Sequence, residues 1–511
     1  VLDAEEEHTL EYLVEKYGKL PQHKDLSELA PREYNAADVV ETFLIWTRDL
    51  RPRLARDPSA DSVYREMSIA YLCELQIEQE EAGIRVDKSV PYPMRDKYAA
   101  KIEQAERLAQ AYVGWPLNLR SADDKKLWLY DVEAMPAQHK RAPRGKEKPV
   151  TIDKDAVAAL RRLVGTEWEP DEEPTLEAAW AAIEAGGNPL LEATYLNMGA
   201  QQALSHYVMP CFETDAKGEI VGVRDRIYPE VRIHVQETGR HSYVGPALSQ
   251  YRGELTKLIT PDVGTVWVGH DWSNIETWLL GYLANDEVIL EAKRGNWDTH
   301  TLNYCDITGT PKPPMLTKAL HAAPECAAWR ERLKWKGEDD DRRVFAKRFV
   351  YRLHYRGRPE NAGDIPGARA LGFDKTRLVD ASQKYLARHP ALVAYWQKIE
   401  RQAAQYGIVY SFMGRPRRLT SPHPNARARE ACNDPMQAGV ADIYITTALK
   451  VRRAAPYARL VFGSYDSQWW QVPAEREAEF AEVYKVIVQR GFEINGQEAS
   501  FPASFKRREA A

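Results

Sequence analysis

The sequence predicts an α+β chain of several domains, and three observations carry that prediction. At 511 residues the chain is long enough for about three or four domains of roughly 100–200 residues each. Short β-rich runs stand far apart, at Val266-Trp267-Val268 and Leu460-Val461-Phe462. Between them, residues 315–355 and 375–407 read as mainly helical. The composition, 44% hydrophobic and 28% charged, is that of a core-forming chain. No stretch approaches the roughly 20 apolar residues of a membrane helix, so a membrane-spanning protein is excluded, as is a secreted mini-domain.

Residues 1 to about 60 read as helices with charged outer faces, closed by a bend at Arg51-Pro52-Arg53. Residues 66–112 read as helical, with an apolar face of Met67, Ile69, Ala70, Leu72, Leu75 and Ile77 and a break at Gly83. Residues 137–149 form a basic loop with Pro and Gly, read equally as a solvated turn or as a tip that touches phosphates. The five cysteines include no C-x-x-C pair, which argues against a zinc ribbon or redox motif and for a reducing compartment. A net charge of -5 gives no bulk signal for nucleic acid, so such a partner must be argued from local patches. The chain begins with Val1 and carries no signal-like segment, so the reading frame is expected to start upstream.

Two aspartates stand out. Asp271 ends the strand-like run from Val266 and shares a face with Trp267 and Gly269, and a helix-like segment follows. Asp466 sits between Leu460-Val461-Phe462 and the run to Val472, at the turn of a predicted hairpin. Carboxylates at strand ends can hold divalent cations. Two such ions about 3.5–4 Å apart can activate an attacking hydroxyl and steady a leaving pyrophosphate. Taken singly, Asp271 reads more readily as a helix N-cap and Asp466 as a turn residue.

A third element carries more. Arg343, Lys347, Tyr351 and Tyr355 recur every four residues, a drift of about 40° per step on a helix. One face therefore carries two cations and then two tyrosines. That order suits a nucleoside triphosphate lying along the helix, its phosphates on the cations and its sugar and base on the rings. A solvated basic helix with surface tyrosines is the plain alternative. The acidic run Asp339-Asp340-Asp341 suits the N-terminal dipole of this helix.

Together and in this order the segments resemble family A DNA polymerases, the group of the Klenow-type large fragment. Asp-Trp-Ser-Asn-Ile-Glu at 271–276 resembles motif A. Arg343, Lys347, Tyr351 and Tyr355 match the motif B helix, and Tyr465-Asp466-Ser467 resembles motif C. Thr238-Gly239-Arg240-His241-Ser242, Asp298-Thr299-His300-Thr301, Asn433 to Gly439 and Asn118-Leu119-Arg120-Ser121 resemble smaller family segments. The resemblance spans about residues 60–500.

The resemblance implies a right-hand polymerase fold with a largely helical thumb and fingers and an antiparallel palm sheet. It places the lead into the palm at 61–95, the thumb at 96–210, palm at 211–290, fingers at 291–410 and palm again at 411–511. Residues 1–60 resemble the end of a 3′–5′ exonuclease-like domain, with Tyr34 and Asp38 in its third motif and His8-Thr9-Leu10 in the helix before it. Asp3 and Glu5 mimic the first exonuclease motif but lie too close to Asp38 for an intact domain. They read as a solvated acidic helix start, and no proofreading is expected of this chain alone.

The implied activity is template-dependent addition of dNTPs to a primer 3′ end. Asp271 and Asp466, with the Trp272 carbonyl, would bind two magnesium ions, for which manganese can substitute. Arg343, Lys347 and His300 would hold the triphosphate, with Lys347 protonating the leaving pyrophosphate. Arg240, Asn433, Gln437 and Tyr465 would contact primer-template DNA, the first three in the minor groove, where readout is nearly sequence-blind. Glu276, bonded to Tyr355, would exclude ribonucleotides, and Tyr351 in place of Phe would admit dideoxynucleotides. A monomer in the bacterial or phage-infected cytoplasm is implied. An RNA polymerase or primer-synthesising enzyme of the same fold, and a non-catalytic DNA-binding subunit, are the alternatives. Glu276 argues against the first, and the joint presence of Asp271, Lys347 and Asp466 against the second. The chain departs from the family in Tyr465 and Ser467, where motif C has His and Glu, in Arg356 where a Gly follows motif B, and in Trp272 for Tyr.

Overall fold

A computed structural model describes residues 10–18, 30–140, 149–164, 175–233, 235–365 and 367–510. Its centre is a four-stranded antiparallel sheet of β1 (Thr265–Trp272), β2 (Arg459–Ser464), β3 (Ser467–Pro473) and β4 (Ala503–Glu509), in the order β2-β3-β1-β4. The register sets Ser467 on one side of Asp271 and Ser504 on the other. Alternation then divides β1. His270 and Trp272 face helix Glu477–Gln489, where His270 Nδ1 meets the Tyr484 hydroxyl at 2.5 Å and Trp272 Nε1 donates to the Val488 carbonyl at 3.1 Å. Trp267, Gly269 and Asp271 take the other face. A Cβ on Gly269 would stand 2.6 Å from the Trp469 ring, so the bare position lets that ring close on the strand.

The helices that matter to the site are α1 (Pro91–Val113), α2 (Pro189–Ala203), α3 (Ile275–Ala284), α4 (Thr299–Thr308), α5 (Asp341–His354), α6 (Lys375–Arg388), α7 (Pro390–Tyr406) and α8 (Pro424–Ala454). Their ends obey local chemistry. Asn188, Asp340 and Asp374 cap the backbone N–H groups of Leu191, Arg342 and Arg377. Proline opens α1, α2, α7 and α8, where its missing N–H costs nothing.

Burial gathers in separate clusters. The largest joins the sheet to α8 through residues such as Trp267, Trp470, Tyr444 and Tyr484. A second joins α5, α6 and α7 through Phe345, Phe349, Leu378 and Trp396, and reaches Met436 of α8. A third lies between α1 and α2, with Ala105, Leu108, Leu190 and Leu196.

Several expectations are corrected. Arg51-Pro52-Arg53 is not a bend: helix Arg51–Arg56 continues from the wide turn Trp46–Leu50, with Pro52 in its first turn, and the break falls at Asp57. The apolar stripe from 66 onward runs instead through Val63, Met67, Tyr71 and Leu75, while Ile69 and Ile77 are exposed. Wide π-type turns over Val63–Ile69 and Leu72–Gln76 bring every fourth residue to one side. Residues 315–340 are not one helix. Pro324, and Lys334 and Gly337 at positive φ, divide them into short turns and helix Ala327–Leu333, around a small core of Leu320, Cys326, Trp329 and Trp335. Tyr34 and Asp38 lie on helix Pro31–Ile45. Asp3, Glu5, His8, Thr9 and most of the basic 137–149 loop lie outside the described residues.

Candidate active site

Asp271 and Asp466 meet at one end of the sheet. Asp466 occupies the two-residue turn between β2 and β3, and its carbonyl accepts the Trp272 backbone N–H at 2.8 Å. A strand residue points its N–H and C=O to the same edge, so the Trp272 carbonyl also faces this turn. Its indole is buried on the opposite face, so only its backbone can serve the site. Burial, then the neighbouring Asp271 and Glu276, push the Asp466 carboxyl above its ordinary range. Ser464 steadies it with a hydroxyl 3.4 Å from Oδ1.

Asp466, raised by burial and by its neighbour Asp271, forms with it a pair of hard-oxygen donors whose repulsion a divalent cation would relieve. Among the described residues no group of three or more His, Cys, Asp or Glu side chains forms a metal cage. Two aspartates and a backbone carbonyl fit magnesium, which keeps waters and takes substrate phosphates rather than filling its shell from protein.

α5 turns its tyrosines toward these carboxylates. Tyr355, at the C-terminal cap of α5, donates to Glu276 Oε2. The Tyr351 hydroxyl reaches Asn274 Oδ1 at 3.3 Å. Burial foremost, then Glu276, raise the Tyr351 phenol to about 12. Arg240 Nη2 donates to Glu276 Oε1 at 3.0 Å, and its Cζ stands 3.3 Å from the centre of the Tyr465 ring.

The cations of α5 divide. Arg343 is drawn onto Asp298, whose Oδ2 lies 3.0 Å from Arg343 Nε and 2.8 Å from His321. Burial opposes that carboxylate, but Arg343, Thr301 and His321 outweigh it and hold it at about 2. Lys347 is exposed one turn further along. His300 is buried against Tyr351, and burial, then Arg343, lower it to about 3. The imidazole is therefore uncharged at neutral pH.

On α8, Asn433 and Gln437 flank Pro435. The Gln437 carbonyl lies 3.4 Å from the Tyr465 hydroxyl, and Asn433 Oδ1 is buried with no hydrogen-bond partner among the described residues. Arg356, which stands where a glycine follows motif B in the family resemblance, adopts a left-handed backbone at φ 56°. Its guanidinium pairs with Glu400 and lies over Trp396.

Two site residues escape the motif reading. Asp298 is the anchor of Arg343, and its place before His300 in a matched segment was the available signal. Lys506 has none in sequence. It stands opposite Gly269 on β4, on the face of Asp271, with Nζ 3.6 Å from Asp271 Oδ2. The run Ala-Ser-Phe-Lys-Arg-Arg at 503–508 lacks the alternation that marks a half-buried strand.

No family model matches the chain. It is 24% identical over 422 residues to DNA polymerase I of Pseudomonas aeruginosa, covering 80% of this chain and 39% of that protein. It is 24% identical over 498 residues to DNA polymerase I of Mycobacterium tuberculosis, covering 90% of this chain and 46% of that protein. The chain thus spans less than half the length of these relatives. Among solved structures, the POL domain of Pol1 from M. smegmatis, in complex with DNA primer-template and dNTP, superposes with a TM-score of 0.71 at 19% identity, over 100% of this chain and 80% of that one. The architecture is therefore that of the right-hand polymerase fold. The resemblance read from the motifs is joined by this similarity to proteins named DNA polymerase I and by the shared fold.

Proposed function

We propose that this chain is a template-dependent DNA polymerase that adds dNTPs to a primer 3′ end, with Asp271 and Asp466 as its essential carboxylates. The single observation that carries the reading is their meeting at the sheet end, beneath the tyrosine end of α5. The palm is the four-stranded sheet with α3 and α8. The fingers are α4 to α7, and the thumb is built on α1 and α2. The lead into the palm is 61–95, and 1–60 is the exonuclease-like remnant.

Asp271, Asp466 and the Trp272 carbonyl would hold two magnesium ions. Bound there, such a pair supplies Lewis-acid activation of the primer hydroxyl and neutralises charge on the leaving pyrophosphate. Lys347 holds the triphosphate and protonates pyrophosphate as it leaves. Arg343, released from Asp298 or shared with it, and the neutral His300 add donors to the same phosphates. Tyr351 packs beneath sugar and base, and Tyr355 holds Glu276 where a ribose 2′-hydroxyl would lie. Arg240, Asn433, Gln437 and Tyr465 line the path of the primer-template. The enzyme acts as a monomer in the cytoplasm. Among the described residues no helix is long and apolar enough to cross a membrane.

Primer extension with magnesium tests the reading, with dNTPs and rNTPs in parallel and Asp466→Ala as the control. Extension with dNTPs that the variant loses supports it. Preference for rNTPs points to an RNA-synthesising enzyme. DNA binding with no extension points to a non-catalytic subunit.

A further inference from the structure

Four residues from four separate segments form one continuous chain of contacts beside the two aspartates. Tyr355 and Arg240 hold the two oxygens of Glu276, Oε2 and Oε1 respectively. Tyr465 lies face-on against the Arg240 guanidinium, 3.3 Å from ring centre to Cζ. Its own hydroxyl sits 3.4 Å from the Gln437 carbonyl, which ties the ring to α8. The backbone beside Arg240 is also fixed. Gly239 has φ 76°, and a Cβ there would stand 2.9 Å from the Arg415 guanidinium, itself bound to Asp442 with Nε 2.7 Å from Oδ1.

Arg240 is therefore held on two sides, by charge at Glu276 and by the π face of Tyr465. A guanidinium over an aromatic face is attracted more strongly the less water surrounds it. Remove the ring, and Arg240 gains rotamers that no longer reach Glu276. Oε1 then loses its donor.

We infer that Tyr465 is a positioning residue for sugar selection: by pinning Arg240 it keeps Glu276 Oε1 occupied and the carboxylate in one orientation. The inference rests on the reading that nucleotides bind against Glu276. A carboxylate held by donors at both oxygens is fixed in orientation and cannot turn its remaining lone pairs onto an incoming 2′-hydroxyl, which it crowds instead, so that hydroxyl is buried unpaired. A carboxylate freed at Oε1 turns and accepts from the 2′-hydroxyl. A residue of the motif C turn, next to Asp466, thereby sets a property carried by motif A.

Single-nucleotide primer extension tests this through kcat/KM for a dNTP and the matching rNTP. Tyr465→Phe keeps the ring and is expected to leave the rNTP/dNTP ratio within about twofold of the parent. Tyr465→Ala is expected to raise the ratio about tenfold, the worth of a desolvated cation–π contact. Tyr465→Leu fills the space without a π face. It is expected to raise the ratio likewise, and it carries the test if the alanine variant does not fold. A role confined to structure lowers both kcat/KM values in proportion, and an unmoved ratio in a folded Ala or Leu variant overturns the inference. If the parent chain extends with dNTPs and only the ratio stays fixed, this inference alone fails. If the parent extends nothing, the polymerase reading fails and takes the inference with it.

Discussion

The Trp272 backbone N–H donates to the Asp466 carbonyl at 2.8 Å, a single ladder bond that joins two aspartate-bearing segments nearly two hundred positions apart in sequence. Replacing Asp271 or Asp466 by Ala is expected to cut dNTP incorporation by about a thousandfold or more, the scale of losing charge stabilisation at a reacting centre. Burial and the neighbouring Asp271 raise the Asp466 carboxyl. The sign follows: it takes up a proton at a pH where an ordinary aspartate is still ionised. Incorporation at limiting magnesium should therefore fall off, as pH drops, above the ordinary carboxylate range, and excess magnesium should shift the fall to lower pH. A pH–rate profile at two magnesium concentrations measures this.

The Tyr351 hydroxyl faces Asn274 Oδ1 at 3.3 Å, on the side that the proposed function gives to the nucleotide sugar. Chain-terminating ddNTPs are expected to compete well with dNTPs, and Tyr351→Phe should weaken that competition about tenfold or more, the worth of one hydrogen bond in a buried setting. Gel-resolved termination at fixed ddNTP/dNTP ratios measures it. Strong discrimination against ddNTPs by the parent chain would contradict this role.

Lys506 Nζ lies 3.6 Å from Asp271 Oδ2. An ammonium there competes with a divalent ion for the same carboxylate. Lys506→Ala is expected to tighten manganese binding to the DNA-free, nucleotide-free chain by about twofold to fivefold, the range of an exposed ion pair. Titration followed by electron paramagnetic resonance reads this without turnover. Unchanged affinity would mean the ammonium is only a passing neighbour of Asp271.

Asp434 on α8 is 5% exposed, and neither of its carboxylate oxygens accepts a hydrogen bond among the described residues. Burial lifts it to about 7 despite Arg417 nearby. A carboxyl raised in the folded state favours folding most below its unfolded value, near 4. That contribution is lost as pH climbs toward 7. Asp434→Asn should flatten the fall in stability between about pH 4 and pH 7, as read from thermal midpoints across that range. A parent chain whose midpoint does not fall there, or a variant with the same slope, would exclude this carboxyl as the source.

Between α2 and helix Lys154–Leu163, Arg161 and Glu192 form a buried pair at 2.7 Å, 4% and 1% exposed at the side chain, with Arg161 over the Tyr195 ring. Glu192→Ala removes the counter-charge of a buried cation and is expected to cost about 3–5 kcal/mol. A lowered first transition in urea unfolding, with dNTP incorporation by the remaining folded protein nearly intact, is the expected result.

The motif residues were legible because their chemistry is written locally. A strand ending in Asp271, a turn at Asp466 and a four-residue stripe on α5 depend on neighbours in sequence, and each appears where its pattern places it. Misreadings fell where local cues compete. Pro52 looked like a break but fits the first turn of a helix. Residues 315–340 looked helical until Pro324 and two positive-φ residues divided them.

What local pattern cannot hold is who stands across from whom. Arg343 could be read as a phosphate ligand, but its capture by Asp298 needed α4 to pack against α5. His300 could be read as a phosphate contact, but only its burial in the fold decides that the imidazole is neutral. Tyr465 over Arg240 and Lys506 beside Asp271 exist only because strand register and the packing of loops on the sheet bring distant residues within a few ångströms. Side-chain type and periodicity act over a few residues along the chain, whereas pairing register, burial and the fields they create are properties of the assembled core. The sequence therefore specifies the chemistry the site can draw on, and tertiary packing specifies which of those groups are free, which are paired and which are neutral.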